Sequence, residues 1–399
     1  MSEIIVTKKR FGKVPQKNRA CQAAARQEPA ATRTAARQEP AANRTAARRK
    51  KNFRIETASF GSSKEGLFDA LLFISLSAFA VLLVASGRCA EFTLKGIKLW
   101  AAMVLPSLLP YFFISAALAK LKTPESLSKL FSPLFKKVFA VSGIVSYAFF
   151  ISVISGCPVG AKTVSDLKEN GFITEDEGVR ASVLCSVLSP SFIISGIGSA
   201  FGSVRFSFAL FCCHILSDIC TGVMFSFYKR PPKKACLGKE RAENSRGFNE
   251  KPLEKQEKRG GAGNFLYECA YNSVVSVLVV GGLITLFSVI SSVLELYGLL
   301  SPALSAVKEI TGSRELSEGI VFGALECTSG IAKLSSLGAC KQSFVAAAAI
   351  CGFGGVSATA QSLAYLKKAK IKAAPFVLSR FAAAALNCLF ALIVYGVCF

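Results

Sequence analysis

Ser155-Gly156-Cys157-Pro158-Val159-Gly160-Ala161-Lys162 ends a run of membrane-grade apolar residues, and Glu326-Cys327-Thr328-Ser329-Gly330-Ile331-Ala332-Lys333 echoes it. Cys157 and Cys327 stand 170 positions apart, as do Gly160 and Gly330. Ser132-Pro133 answers Ser301-Pro302 and Gly143 answers Gly312, both at an offset of 169, and Cys185 falls near Cys351 at 166. Offsets that drift this little suit an old duplication with a few insertions. Paired apolar segments interrupted by Gly or Pro, in matching places of two halves, are the sequence pointer to a transporter's binding site.

The rest of the chain fits a membrane. Of 399 residues 52% are hydrophobic and only 18% charged, against about a quarter charged in an ordinary soluble domain. The net charge of +23 is concentrated. Residues 1–65 hold 16 Lys/Arg and 5 Asp/Glu, and residues 229–259 hold 11 and 5. The basic balance therefore reflects two polar segments under membrane topology, and no nucleic-acid-binding face. The 14 cysteines sit mostly in apolar runs, without a C-x-x-C pair, and there is one histidine, His214. No disulfide framework, metal site, cofactor or nucleophile–base pair is expected, so the chain does not read as an enzyme.

Four segments follow. Residues 1–65 read as a disordered basic arm carrying an 11-residue tandem repeat (AARQEPAATRT, AARQEPAANRT), suited at most to anionic lipid. Residues 66–228 form a first membrane half, 229–262 a charged cytoplasmic loop, and 263–399 a second membrane half. Spans are expected at Leu67–Gly87, Ile97–Leu118, Ala181–Gly202, Phe206–Tyr228, Asn264–Leu296, Phe344–Leu366 and Ala373–Val397. An amphipathic basic helix is expected at 120–137 and a polar surface helix at 163–180. The segments 138–162 and 319–333 read as re-entrant hairpins. With the basic arm inside, 120–137, 229–262 and Lys367 to Lys372 then lie on the cytoplasmic side, while Arg88–Lys95, Arg205 and Lys308–Glu318 lie outside, in keeping with the positive-inside rule. Three crossings between repeat starts make the repeats inverted. The fold class is an all-α polytopic membrane protein of two inverted repeats with re-entrant hairpins and broken helices.

A hairpin tip exposes a helix N-terminus, whose N–H groups favour anions. Gly156 and Gly160 let backbone approach a solute, Pro158 suits a first helical turn, and Cys157 lies between. Lys162 and Lys333 supply positive charge, or snorkel to the interface. Glu326, ahead of Thr328, Ser329 and Gly330, is a ligand for a cation, a proton or the solute, or else pairs with a basic residue. Ser357, Thr359 and Gln361 follow the glycines of Gly352-Phe353-Gly354-Gly355, where a span is expected to unwind. Ser189 and Ser191, around Pro190, take the corresponding place in the first half. His214 and Asp218 share a helix face at i, i+4, a spacing that more often serves packing than proton relay. GCPVGAKT lacks the four-residue spacer of a phosphate-binding loop and is rejected as one.

The runs LPSLLPYF, SGCPVGAKTVSDL, ECTSGIAKL and GFGGVSATAQSLAYL resemble the YlbJ-type sporulation integral membrane proteins. The resemblance covers about residues 66–399, and the basic arm is unmatched. It implies a "nucleoside recognition" or Gate domain and a fold like that of concentrative nucleoside transporters. It further implies a role in the membrane around the developing spore, with dipicolinate as the associated cargo. The family commonly carries an aromatic where Cys157 stands and often a histidine near Thr359. The expected function is transport of a small anion, dipicolinate, across the outer forespore membrane, with the lipid bilayer, a coupling ion and a second copy of the chain as further partners. A nucleoside or other metabolite, and a non-transporting sporulation scaffold, are the alternatives.

Overall fold

The computed structural model describes residues 64–119, 123–230 and 262–399. The basic arm and nearly all of the 229–262 loop, with Lys120 and Lys122, lie outside the described residues. Two units are distinguished, residues 1–75 and 76–399. The described part of the first is the start of α1 (Lys64–Ala85), where Leu71, Phe73 and Ile74 are exposed.

The second unit is built of helices throughout its described length. Helix α2 (Cys89–Leu99) runs through a π-helical turn, Trp100–Val104, into α3 (Leu105–Ala119). The expected outside loop at Arg88–Lys95 is thus mostly helix. Its charges lower the local hydropathy, but Phe92 and Gly96 form a buried face, and a Cβ at Gly96 would lie 2.9 Å from Thr285 Cα. Five helices among the described residues are long and apolar enough to cross a membrane: Cys89–Leu118, Val204–Phe225, Gly263–Leu296, Lys341–Lys368 and Ala373–Cys398. Phe208, Leu216, Leu378, Phe381 and Ile393 are exposed along them, as lipid-facing side chains should be.

After the amphipathic α4 (Thr123–Val138), two hairpins interrupt the spans. Helix α5 (Ile144–Ser155) meets α6 (Cys157–Glu169) at Gly156, whose φ of 96° is open to glycine. Pro158 sits in the first turn of α6, where its missing N–H costs nothing. Helix α12 (Arg314–Leu325) meets α13 (Cys327–Leu334) at Glu326. At 12 residues, α5 and α12 are each about 18 Å long, well short of a ~30 Å hydrocarbon core.

Glycine lets the hairpin arms approach closely, against a serine side chain in the first and backbone to backbone in the second. A Cβ at Gly160 would lie 2.5 Å from Ser152 Oγ and 2.2 Å from the Cys185 carbonyl oxygen. One at Gly330 would lie 2.2 Å from Gly323 Cα and 2.6 Å from the Gly319 oxygen. Gly319 and Gly323 are the small-xxx-small pair that permits such an approach.

Two charged clusters mark the ends of this unit. At one, Lys229 pairs with Asp176 (3.2 Å), Lys372 with Glu175 (3.5 Å) and Lys368 with Glu169 (3.3 Å), and the Asp176 contact holds the Lys229 ammonium above its ordinary pKa. The first hairpin opens here, where Ser142 N–H donates to Glu177 (2.6 Å) and Arg180 donates to the Ala140 and Tyr228 carbonyls. Glu177 and Arg180 belong to α7 (Glu175–Leu184), which is largely buried. The surface helix expected over 163–180 is therefore two helices, because these charges find partners inside. At the other end Lys333 pairs with Glu318 (2.9 Å) and with Glu295 (3.3 Å), the latter near the end of α10 (Ala262–Leu296). Arg205, opening α9 (Val204–Phe225), reaches the Cys398 carbonyl at the end of α16 (Ala373–Cys398) and covers the Phe399 ring. Single cysteines replacing Asn170 and Lys308 are expected to react with an impermeant maleimide from opposite sides of the membrane. Labelling of both from one side would overturn the hairpin topology.

The expected span Ala181–Gly202 is broken. Helix α7 stops at Leu184 and the chain runs non-helically to Pro190 before a π-helical segment, Ser191–Ile197, the four-residue α8 (Gly198–Phe201), and α9. Proline disfavours helix in the residue before it, here Ser189. The second break is sharper. After α11 (Ser301–Thr311) and the second hairpin, α14 (Lys341–Phe353) and α15 (Gly355–Lys368) are joined at Gly354 and Gly355, with φ of 81° and 78°.

Candidate functional site

Both hairpin tips and both helix breaks meet around one cavity of about 80 Å³, room for several waters or part of a small molecule. Its polar side is Ser155, Gly156, Cys157 and Pro158 from the first tip, Glu326, Cys327 and Thr328 from the second, Ser189 from the first break, and Gly354, Ser357 and Gln361 from the second. Its apolar side is Val104, Leu108 and Phe112 from the π turn and α3, Phe192, and Val280 and Ile284 from α10.

The two tips differ in their electrostatics. Glu326 is buried and caps α13 itself, accepting from Thr328 N–H (2.9 Å) and Ser329 N–H (2.7 Å). The partners of Glu326 are thus the N–H groups and hydroxyls of Thr328 and Ser329 at the start of its own helix, and no Lys or Arg pairs with it among the described residues. Helix α6 starts at Gly156 with no side-chain cap, so its N-terminal dipole faces the cavity unneutralised. The cavity thus has one positive helix end and one carboxylate, and no Lys, Arg or His among its described lining residues.

Of the residues the sequence singles out, Gly156, Cys157, Pro158, Ser189, Glu326, Thr328, Ser357 and Gln361 line the cavity. Cys157 Sγ lies 3.1 Å from Ser362 Oγ, and Gln361 Nε2 3.5 Å from Ser357 Oγ. The others stand behind or away from it. Gly160 and Gly330 are packing positions, crowded by backbone that leaves no path for a solute. Ser191 is buried, 3.0 Å from Ser189 Oγ, and Ser329 contributes its N–H to Glu326. Thr359 Oγ1 is buried without a hydrogen-bond partner among the described residues. Lys162 is exposed on α6, and Lys333 is held by its two carboxylates with its ammonium 4.1 Å from the Phe322 ring centre. The positive charge expected of these two lysines is not at the cavity.

Sequence reasoning missed the apolar wall, whose residues look like any other lipid-facing positions. It also missed Arg380, a buried guanidinium within the apolar α16, although an ionisable residue inside a span is a signal by itself. His214 and Asp218 do meet, with Nε2 3.0 Å from Oδ2. The described cysteines are free thiols.

No protein-family model matches the chain. A solved structure described as "CNTnw in an inward-facing substrate-bound state" aligns over 83% of this chain and 87% of its own, with a TM-score of 0.47 and 15% identity. The chain is 26% identical over 332 residues to the sporulation integral membrane protein YlbJ of Bacillus subtilis (strain 168), covering 78% of this chain and 79% of that one. Across that length the chain is similar to a YlbJ-type sporulation integral membrane protein.

Proposed function

We propose that the chain carries a small polar solute across a membrane of the sporulating cell, binding it between the two hairpin tips. One observation carries this reading: polar, non-helical backbone from four separate segments converges on one cavity inside apolar sequence. Such backbone is costly at membrane depth and is tolerated where it is buried or lines a cavity. A scaffold needs none of it. The opposed openings of the hairpins support the view that residues 66–228 and 263–399 are inverted repeats, rocking around a fixed site.

Dipicolinate is the favoured solute. Its flat ring suits the wall of Phe112, Phe192 and aliphatic side chains, and one carboxylate suits the uncapped end of α6. The relation to a sporulation protein supports the same choice. Its second carboxylate would face Glu326, so the dianion enters with a companion cation or a proton between the two. A nucleoside is the second reading, favoured by Glu326 itself, which accepts hydroxyl donors without any companion.

The test is uptake into reconstituted vesicles of radiolabelled dipicolinate and of uridine, at pH 5.5 and 8, with and without divalent cation. Dipicolinate uptake is expected to rise at low pH or with the cation. Uptake of uridine alone would replace the solute, and uptake of neither, in a protein the sporulating cell still requires, would favour the scaffold.

A further inference from the structure

Behind the cavity, four polar side chains from the two halves of the chain are buried together: His214 and Asp218 on α9, and Arg380 and Asn387 on α16. They hold the non-helical segment between Leu184 and Pro190. Arg380 donates to the Ser186 carbonyl (3.1 Å) and the Val183 carbonyl (3.5 Å). Leu188 N–H donates to His214 Nε2 (2.8 Å). Asn387 donates to the Ala348 carbonyl (2.8 Å), with its nitrogen 3.5 Å from His214 Nδ1. Leu188 and Ser189 line the cavity directly.

His214 Nε2 has two neighbours that exclude each other. Its one lone pair receives the Leu188 N–H, yet Asp218 Oδ2 also stands 3.0 Å from the same nitrogen. Both Asp218 oxygens are buried without a hydrogen bond, and Arg380 is 3.8 Å from Oδ1. A buried carboxylate so poorly served is costly when ionised. A proton on Oδ2 removes that cost by donating to Nε2, where it competes with Leu188 N–H for the same lone pair.

We propose that Asp218 is a proton-binding site, and that its proton decides whether His214 holds the backbone of Leu188 against the cavity wall. With Asp218 ionised, Nε2 accepts from Leu188 and Arg380 is balanced by the carboxylate. With Asp218 protonated, the O–H takes Nε2, Leu188 N–H is released to cavity water, and the first break loosens. The proton comes from the acidified bulk solvent, relayed through that water, and stays on the carboxyl; no other covalent bond is made or broken.

The charged neighbours are few. Arg380 is the only charged side chain α16 brings near. On α7, Glu177 and Arg180 are engaged at the charged cluster with Ser142 and the Ala140 and Tyr228 carbonyls. The π segment and α8 carry no ionisable residue, and the one charged residue of α14 is Lys341, about two turns from Ala348. The buried thiols on these elements are Cys157, Cys185, Cys213 beside His214, and Cys351 on α14.

If the cavity carries a solute as proposed above, the device makes its movement proton-linked. The device itself does not depend on transport, and neither does its test. Hydrogen–deuterium exchange is followed for peptides spanning 184–190 in lipid nanodiscs from pH 5.5 to 8.5, corrected for intrinsic rates, with Leu188 resolved by fragmentation. Loss of one backbone hydrogen bond should speed Leu188 exchange about tenfold at the acidic end in the wild type. In Asp218→Asn an amide donor faces Nε2 permanently, so exchange should be fast at every pH. A flat wild-type profile, or pH dependence that survives in Asp218→Asn, would overturn the proposal. The wild-type series decides alone if the variant does not fold.

Discussion

Gly330→Val is expected to leave little folded protein in the membrane fraction. The new side chain would start 2.2 Å from Gly323 Cα and 2.5 Å from Gly323 N, with no flexible atom to give way. Overpacking costs about 1–3 kcal/mol where side chains can shift, and here backbone must move, so the cost lies at or above that range. The arms of the second hairpin would part and take Glu326 and Thr328 off the cavity. Gly330→Ala should fold with a lowered Tm, whereas Gly282→Ala, whose new methyl meets nothing within 4 Å, should be neutral or slightly stabilising. Heating the solubilised protein before size-exclusion chromatography reads all three. A valine variant with wild-type Tm would mean that the arms are not in contact.

The second large effect is expected at Glu326. Glu326→Ala removes both bonds that cap α13, to Thr328 and Ser329, and the one carboxylate on the cavity. Losing a cap costs about 1 kcal/mol. Without the cap the tip loses its fixed geometry, and solute binding should weaken roughly tenfold to a hundredfold. Glu326→Gln separates charge from shape. Its carbonyl keeps one capping bond while the charge that opposes a dicarboxylate disappears. Dipicolinate binding by this variant, measured by calorimetry, should be at least as tight as in the wild type and independent of companion cation. Weaker dipicolinate binding by Glu326→Gln would count against the anion and for a solute whose hydroxyls donate to the carboxylate.

The parts of this fold legible in the sequence were those written in short-range chemistry. The apolar run from Ala373 has one period and one length, so α16 ends within a residue of its expected limit. Gly156 and Pro158 can sit together at few places besides a turn that starts a helix. The parts that were not legible depend on partners far along the chain. Lys333 has the same spacing after Gly330 whether it faces solute or Glu295, and only the packing of α10 against the hairpin decides. Cys185-Ser186-Val187-Leu188 is apolar enough to pass for mid-span helix. It is held open by His214 and Arg380, which lie 26 residues from Leu188 and 194 from Ser186. Arg88, Glu91, Lys95 and Lys98 hid the start of α2, because an average over hydropathy is blind to the one face that packs.

The cavity's construction from two distant tips also sets a schedule for biogenesis. The first tip leaves the ribosome some 170 residues before the second. At about 5–20 residues per second, that is an interval of roughly 10–30 s. During it Gly156 and the free end of α6 have no opposite wall, and hydrocarbon offers their N–H groups nothing. The nascent first half must therefore keep its tip wet or sheltered until Glu326 arrives, and the last stage of insertion is the closing of two polar ends upon each other.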